Sequence, residues 1–128
     1  MHLPTPVDEA ARVLRQGGVF MFSVWDRIEH NEFPHIVNQP VAGLFPQNPP
    51  NFMARVPHGY HDTATIRAHL RASGFSSEPE IKPVAARSRA ASAQTPAIAF
   101  CQGTPLRSEI ETRDPAGLAE ATAKLLAD

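Results

Sequence analysis

The chain is short of several features that would settle a function at once. It has one cysteine, Cys101, among 128 residues. An internal disulfide is therefore excluded, and so is a four-thiolate zinc site. No apolar run approaches the roughly 20 residues that span a bilayer. The opening residues, MHLPTPVDEA, carry neither the basic start nor the apolar stretch of a secretory signal. Charge of one sign is also lacking, since 12 Lys and Arg stand against 13 Asp and Glu, a net charge of −1. Nucleic-acid binders usually show a basic patch or stripe, and anionic membrane surfaces attract basic segments. The expectation is a cytoplasmic chain with no nucleic-acid and no membrane partner.

What is present fits one compact domain. Apolar residues make up 42% of the chain, enough for a core at this length. The 13 prolines are about twice ordinary usage. Four of them follow a capping residue: Thr5-Pro6, Thr95-Pro96, Thr104-Pro105 and Asp114-Pro115. The Thr or Asp oxygen can accept an orphan helical N–H, and proline at the first helical position loses no hydrogen bond.

The apolar spacing predicts a first helix over 6–15, with Val7, Ala10, Ala11 and Leu14 on one face and Gly17-Gly18 as its stop. The run Val19 to Trp25 is nearly all apolar and does not alternate. It reads as a strand covered on both faces, as in a parallel sheet. A helix interrupted by Pro34 and Pro40 is expected over 31–45, and a long loop or cap over 46–61. Asp62 or Thr63 should cap the next helix, which carries Ile66, His69, Leu70 and Ser73 and ends at Gly74. Residues 80–86 read as a second strand, confined to a sheet edge by Pro83. A polar turn over 88–94 follows, then 96–102 as a short helix, with a strand as the alternative. Helices over 105–113 and 115–127 close the chain, the last with a stripe of Leu118, Ala121, Thr122, Leu125 and Leu126. Alternating strands and helices place the chain in the α/β class.

The run Glu9-Ala-Ala-Arg-Val-Leu-Arg-Gln-Gly-Gly18, followed by an apolar segment, resembles the E-x-x-R-V-L-(R/K)-P-G-G signature of class I S-adenosylmethionine-dependent methyltransferases. Gln16 stands where that family usually has proline. Phe22-Ser-Val-Trp-Asp26, Pro57-His-Gly-Tyr-His-Asp62 and Cys101-Gln-Gly-Thr-Pro-Leu106 resemble the branch that serves ubiquinone and menaquinone biosynthesis. The resemblance runs from about Val7 to Leu126. It implies a partial Rossmann-like fold: a helix, strand five at 19–25, helices and a cap, edge strand six at 80–86, and C-terminal helices. Strands one to four and strand seven of the family sheet have no counterpart, so residues 1–128 read as a single C-terminal fragment of the domain.

The same resemblance implies a small-molecule substrate and S-adenosylmethionine as methyl donor. The glycine-rich turn that would hold the donor is absent, because no two of the seven glycines are two positions apart. Such a turn lets backbone approach the cofactor where a Cβ would clash. The expected function is thus a methyltransferase portion that is inactive alone. The alternative is a non-catalytic interaction module, pairing through an open strand edge with a copy of itself or with the missing half.

Four residues are candidates for a substrate site. Trp25 and Asp26 follow the expected strand, where ligands of open α/β sheets sit. They form either a pocket wall, or a packed indole and a capped turn. Tyr60 and His61 are candidates as substrate contacts or a general base. His58, His61 and Asp62 offer three metal-ligating groups but no fourth, in a spacing that matches no specific zinc pattern. Cys101, without a basic neighbour in sequence, reads as a buried structural thiol, and Arg87-Ser88-Arg89 as a solvated loop.

Overall fold

The computed structural model describes residues 5–127. Its helices are α1 (Pro6–Val13), α2 (Glu32–Leu44), α3 (Phe52–Arg55), α4 (Thr63–Ala72), α5 (Gln94–Gln102), α6 (Leu106–Arg113) and α7 (Leu118–Ala127), with a 3-10 turn at Ile28–His30. The chain divides into two compact units. One holds the stretches up to Val24 and from His61 to Val84, and the other holds Trp25–Tyr60 and the chain from Ala85 onward.

The first unit is built on α1 and α4. Thr5 starts α1 with a reciprocal cap: its Oγ1 accepts the Asp8 N–H at 3.1 Å, and the Asp8 carboxylate accepts the Thr5 N–H at 2.8 Å. Asp8 also accepts the Ser73 hydroxyl at 2.6 Å, which ties α1 to the end of α4. Asp62 caps α4, accepting the Ala64 N–H and the Thr65 hydroxyl at 3.1 and 2.9 Å. At the far end, Gly74 takes φ +99°, and the Phe75 and Gly74 amides return to the Leu70 and Arg71 carbonyls. That is a Schellman closure, which needs a left-handed residue at Gly74. Ile66 and Leu70 are buried, and Phe75 stacks on Phe20 with centroids 5.6 Å apart.

The second unit carries the larger core. Val37 and Val41 of α2 pack with Met53 of α3, Ala97 and Cys101 of α5, Leu106 and Ile110 of α6, and Ala121 and Leu125 of α7. Its largest fully buried side chains are Met53, Leu106, Ile110, Val41 and Cys101. The Pro- and Asn-rich stretch before α3 is clamped to α6. Glu109 accepts the Asn51 N–H at 2.9 Å and the Phe52 N–H at 3.4 Å, and so caps α3 from another helix. Arg113 donates to the Asn48 carbonyl and to the Glu109 carbonyl.

The α/β expectation fails. Among the described residues there is no strand and no sheet, so a partial Rossmann-like fold with strands five and six is overturned. Residues 19–25 and 80–86 form no ladder and no helix. The physical reason is that a strand is defined by its neighbour. The β-favouring residues of 19–25 have no second ladder to join, and Pro83 removes an amide from the other segment. Val19 and Met21 are 85% and 89% exposed, where a strand covered on both faces would be buried.

The helix boundaries carry smaller corrections. The one-turn α3 lies inside the stretch expected as loop. Thr95-Pro96 does not start α5, which begins at Gln94. Asp114-Pro115 instead forms a turn, with the Ala116 N–H on the Asp114 carboxylate, and α7 begins three residues later at Leu118. Pro40 sits inside α2, which continues through it to Leu44.

Candidate functional site

In the second unit a polar arrangement gathers on Asp26. Its side chain accepts the Arg27 N–H at 2.7 Å, and its other carboxylate oxygen faces His30 Nδ1 at 2.9 Å. Its backbone carbonyl accepts from Asn31 Nδ2 at 3.1 Å and from His58 Nδ1 at 2.9 Å. A carbonyl oxygen only accepts, so His58 Nδ1 carries the proton. In the neutral ring that leaves Nε2 as the unprotonated nitrogen. His58 is buried, at 5% exposure, on the turn that follows α3.

Trp25 completes the cluster. Its ring lies 6.1 Å from that of His58 and is inclined by 47°, and the indole is 64% exposed. It therefore does not pack beneath a loop; it presents surface to solvent beside a fixed imidazole. Asp26 does hold a turn. The packed indole expected as the alternative is not seen at Trp25, while the turn expected at Asp26 is.

Tyr60 belongs to the same unit and is half-buried, and burial raises its phenol above the ordinary value. His61 belongs to the first unit, beside the α4 cap. The Asp62 carboxyl there is held below its usual value, first by the Thr65 hydroxyl and then by the Ala64 N–H. The four sequence candidates are thus divided between units, and the residue that joins Trp25 to Asp26 is His58. Its partner is a backbone carbonyl 32 positions away, and no sequence spacing announces such a bond.

No group of three His, Cys, Asp or Glu side chains among the described residues is arranged to hold a metal ion. Each unit contains a hollow. One, of about 20 Å³ and lined by Arg67, Leu70 and Phe75, has room for a water. The other is a solvent-open groove of about 460 Å³ between Phe33, Ser88, Arg89, Ser92 and Pro96. Cys101 is fully buried, and burial pushes its thiol up, against the smaller opposing effect of a hydrogen bond with Thr122. That is the behaviour of a structural thiol and not of a nucleophile.

The glycines give no cradle for a nucleotide-like cofactor. A Cβ on Gly59 or Gly103 would strike the carbonyl of Arg55 or Ala99 in the preceding helical turn, and one on Gly18 would strike Leu14. Gly17, Gly43 and Gly74 face open space. On Gly117 a Cβ would meet the Asp114 side chain. The glycines therefore supply no close backbone approach of the kind that admits S-adenosylmethionine.

Comparison with protein-family models, with curated proteins and with solved structures found no match to this chain. No helix among the described residues is long and apolar enough to cross a membrane.

Proposed function

We propose that these residues are the C-terminal portion of an S-adenosylmethionine-dependent methyltransferase acting on a small molecule, and that alone they neither hold the donor nor transfer its methyl group. One observation carries the reading. From Thr5 to Trp25 the chain runs through a capped helix bearing Glu9, Arg12 and Val13, then Leu14 and the left-handed Gly17 (φ +78°). It then enters seven uncharged residues that join no ladder and leave five large apolar side chains exposed, while Phe20 stacks on Phe75. That is the order of parts in the helix–strand unit of the resembled family.

The roles follow from the geometry. Trp25 offers a flat apolar face to a small substrate. The Asp26 turn holds that face in place through His30, Asn31 and His58. His58 Nε2 is the group of this cluster suited to accept a proton from an acceptor substrate. Chemical activation of the methyl group belongs to the donor, so the protein's contribution is positioning, and the backbone turn for that is not among these residues.

Two measurements test the reading together. Titration of the purified chain with S-adenosylmethionine in a calorimeter is expected to give no heat of binding. The coding DNA immediately upstream is expected to contain, in frame, a glycine-rich strand–turn–helix, and the joined protein is expected to bind the donor. Micromolar binding by this chain alone, or an upstream region with no such element, contradicts the proposal.

A further inference from the structure

The apolar residues that the cores leave out are concentrated in one place. Of the eleven exposed large hydrophobic side chains among the described residues, five lie between Val19 and Trp25: Val19, Met21, Phe22, Val24 and Trp25. Exposure along the first part of the segment alternates. Val19 and Met21 are almost bare, whereas Phe20 between them is half-buried and stacked on Phe75, and Phe22 beyond is 40% exposed and 5.0 Å from Phe20. Alternation of this kind is strand periodicity. The segment has no charge, no proline and no glycine after Gly18, and it is rich in β-branched and aromatic residues. Segments of six or seven residues with that composition pair readily with copies of themselves when exposed.

We infer that a second copy of this chain covers residues 19–25, in an antiparallel pair centred on Phe22. The register follows from charge and symmetry. Parallel, in-register pairing would set Asp26 on Asp26 and Arg27 on Arg27, and like charges directly opposite destabilise a sheet pair. Antiparallel pairing about Phe22 sets Val19 against Trp25, Phe20 against Val24 and Met21 against Ser23. The arrangement has two-fold symmetry and closes as a dimer, whereas the parallel one continues as an open stack. The exposed parts of the five side chains amount to roughly 500–600 Å² per chain, so two copies remove at most about 1,000–1,200 Å², the lower end of what a specific interface needs. The dimer is therefore weak and concentration-dependent. The dimer covers the Trp25 face that the methyltransferase reading gives to a substrate, and a donor titration of dilute, monomeric protein tests that reading apart from the dimer.

Sedimentation velocity over a concentration series and disulfide trapping test the inference. The native chain is expected to pass from monomer to dimer. Met21→Lys, at a position too exposed to affect folding, is expected to weaken the dimer at least tenfold with unchanged circular dichroism. In trapping, Val19→Cys mixed with Trp25→Cys is expected to give the mixed dimer, with little product from either variant alone; buried Cys101 does not interfere. A native chain that stays monomeric to roughly millimolar concentration, or a Met21→Lys chain that associates like the native one, overturns the inference. So does Val19→Cys trapping itself efficiently, which is the product of a parallel stack.

Discussion

The two compact units differ in what their apolar residues meet. In the second unit, Leu106, Ile110, Val41, Met53 and Cys101 are enclosed by helices and touch little water. In the first, Ile66 and Leu70 are buried, but Val19 and Met21 of the same unit remain in solvent. Local capping is better in the first unit, where Thr5 and Asp62 cap α1 and α4, than in the second, where the N-cap residues of α2, α5 and α6 make no side-chain capping bond. The difference is that a helix satisfies its own backbone and needs a neighbour only for one face, whereas a strand needs a neighbour for its backbone as well.

The largest test of this contrast deletes apolar volume on either side. Leu106→Ala and Ile110→Ala are each expected to cost about 2–5 kcal/mol, because removing buried methyl groups loses burial and leaves a cavity. Val19→Ala and Met21→Ala are expected to stay within about 0.5 kcal/mol, as exposed sites do. Urea unfolding of dilute protein measures both. Equal losses at the two places would erase the distinction.

A second test compares polar ties. Glu109→Ala removes the acceptor for the Asn51 and Phe52 amides and is expected to cost about 1 kcal/mol, in the range of a lost helix cap. Glu78→Ala removes exposed pairs with Arg67 and Arg71 in the first unit and is expected to change stability by less than about 0.5 kcal/mol. Shifts in the thermal midpoint of the two variants read the ratio.

The smallest effect concerns pH. Arg87 donates to Glu32 at 2.7 and 3.1 Å, and the Ser88 N–H adds to it at 3.2 Å. These bonds, the Arg87 side chain first, hold the Glu32 carboxyl below its ordinary value. A depressed carboxyl contributes at pH above its unfolded value and loses that contribution as pH falls through the folded one. The Ser88 amide resonance is therefore expected to stay constant near neutrality and to move only below the usual carboxylate range. Arg87→Ala is expected to bring that midpoint back up. An unchanged midpoint would show that Glu32 is not held by Arg87.

Much of the helical structure was legible in the chain. Thr5-Pro6, Asp62 and Gly74 act locally, within four residues of the bonds they make, so a reader of the sequence can place α1 and α4 to within two residues. The stripe of Leu118, Ala121 and Leu125 announces α7, although its expected start at Pro115 yields to an Asp114 turn. The two strands were misplaced because β-propensity reports a preference and not a partner. The candidate site was legible in part: Trp25 and Asp26 do sit together in a polar cluster. His58 was read only as a metal-ligating group beside His61 and Asp62, because its bond to Asp26 runs to a backbone carbonyl, and His61 was grouped by proximity in sequence with residues of a different unit.

Hydrogen exchange of the amides in 19–25, against those of α6 and α7, tests most directly whether this apolar segment lacks a partner within its own chain. In dilute, monomeric protein the account expects the 19–25 amides to exchange nearly as fast as unstructured peptide while the α6 and α7 amides are protected. Strong protection of 19–25 in the monomer would mean that the chain itself supplies a ladder there, and would contradict the account.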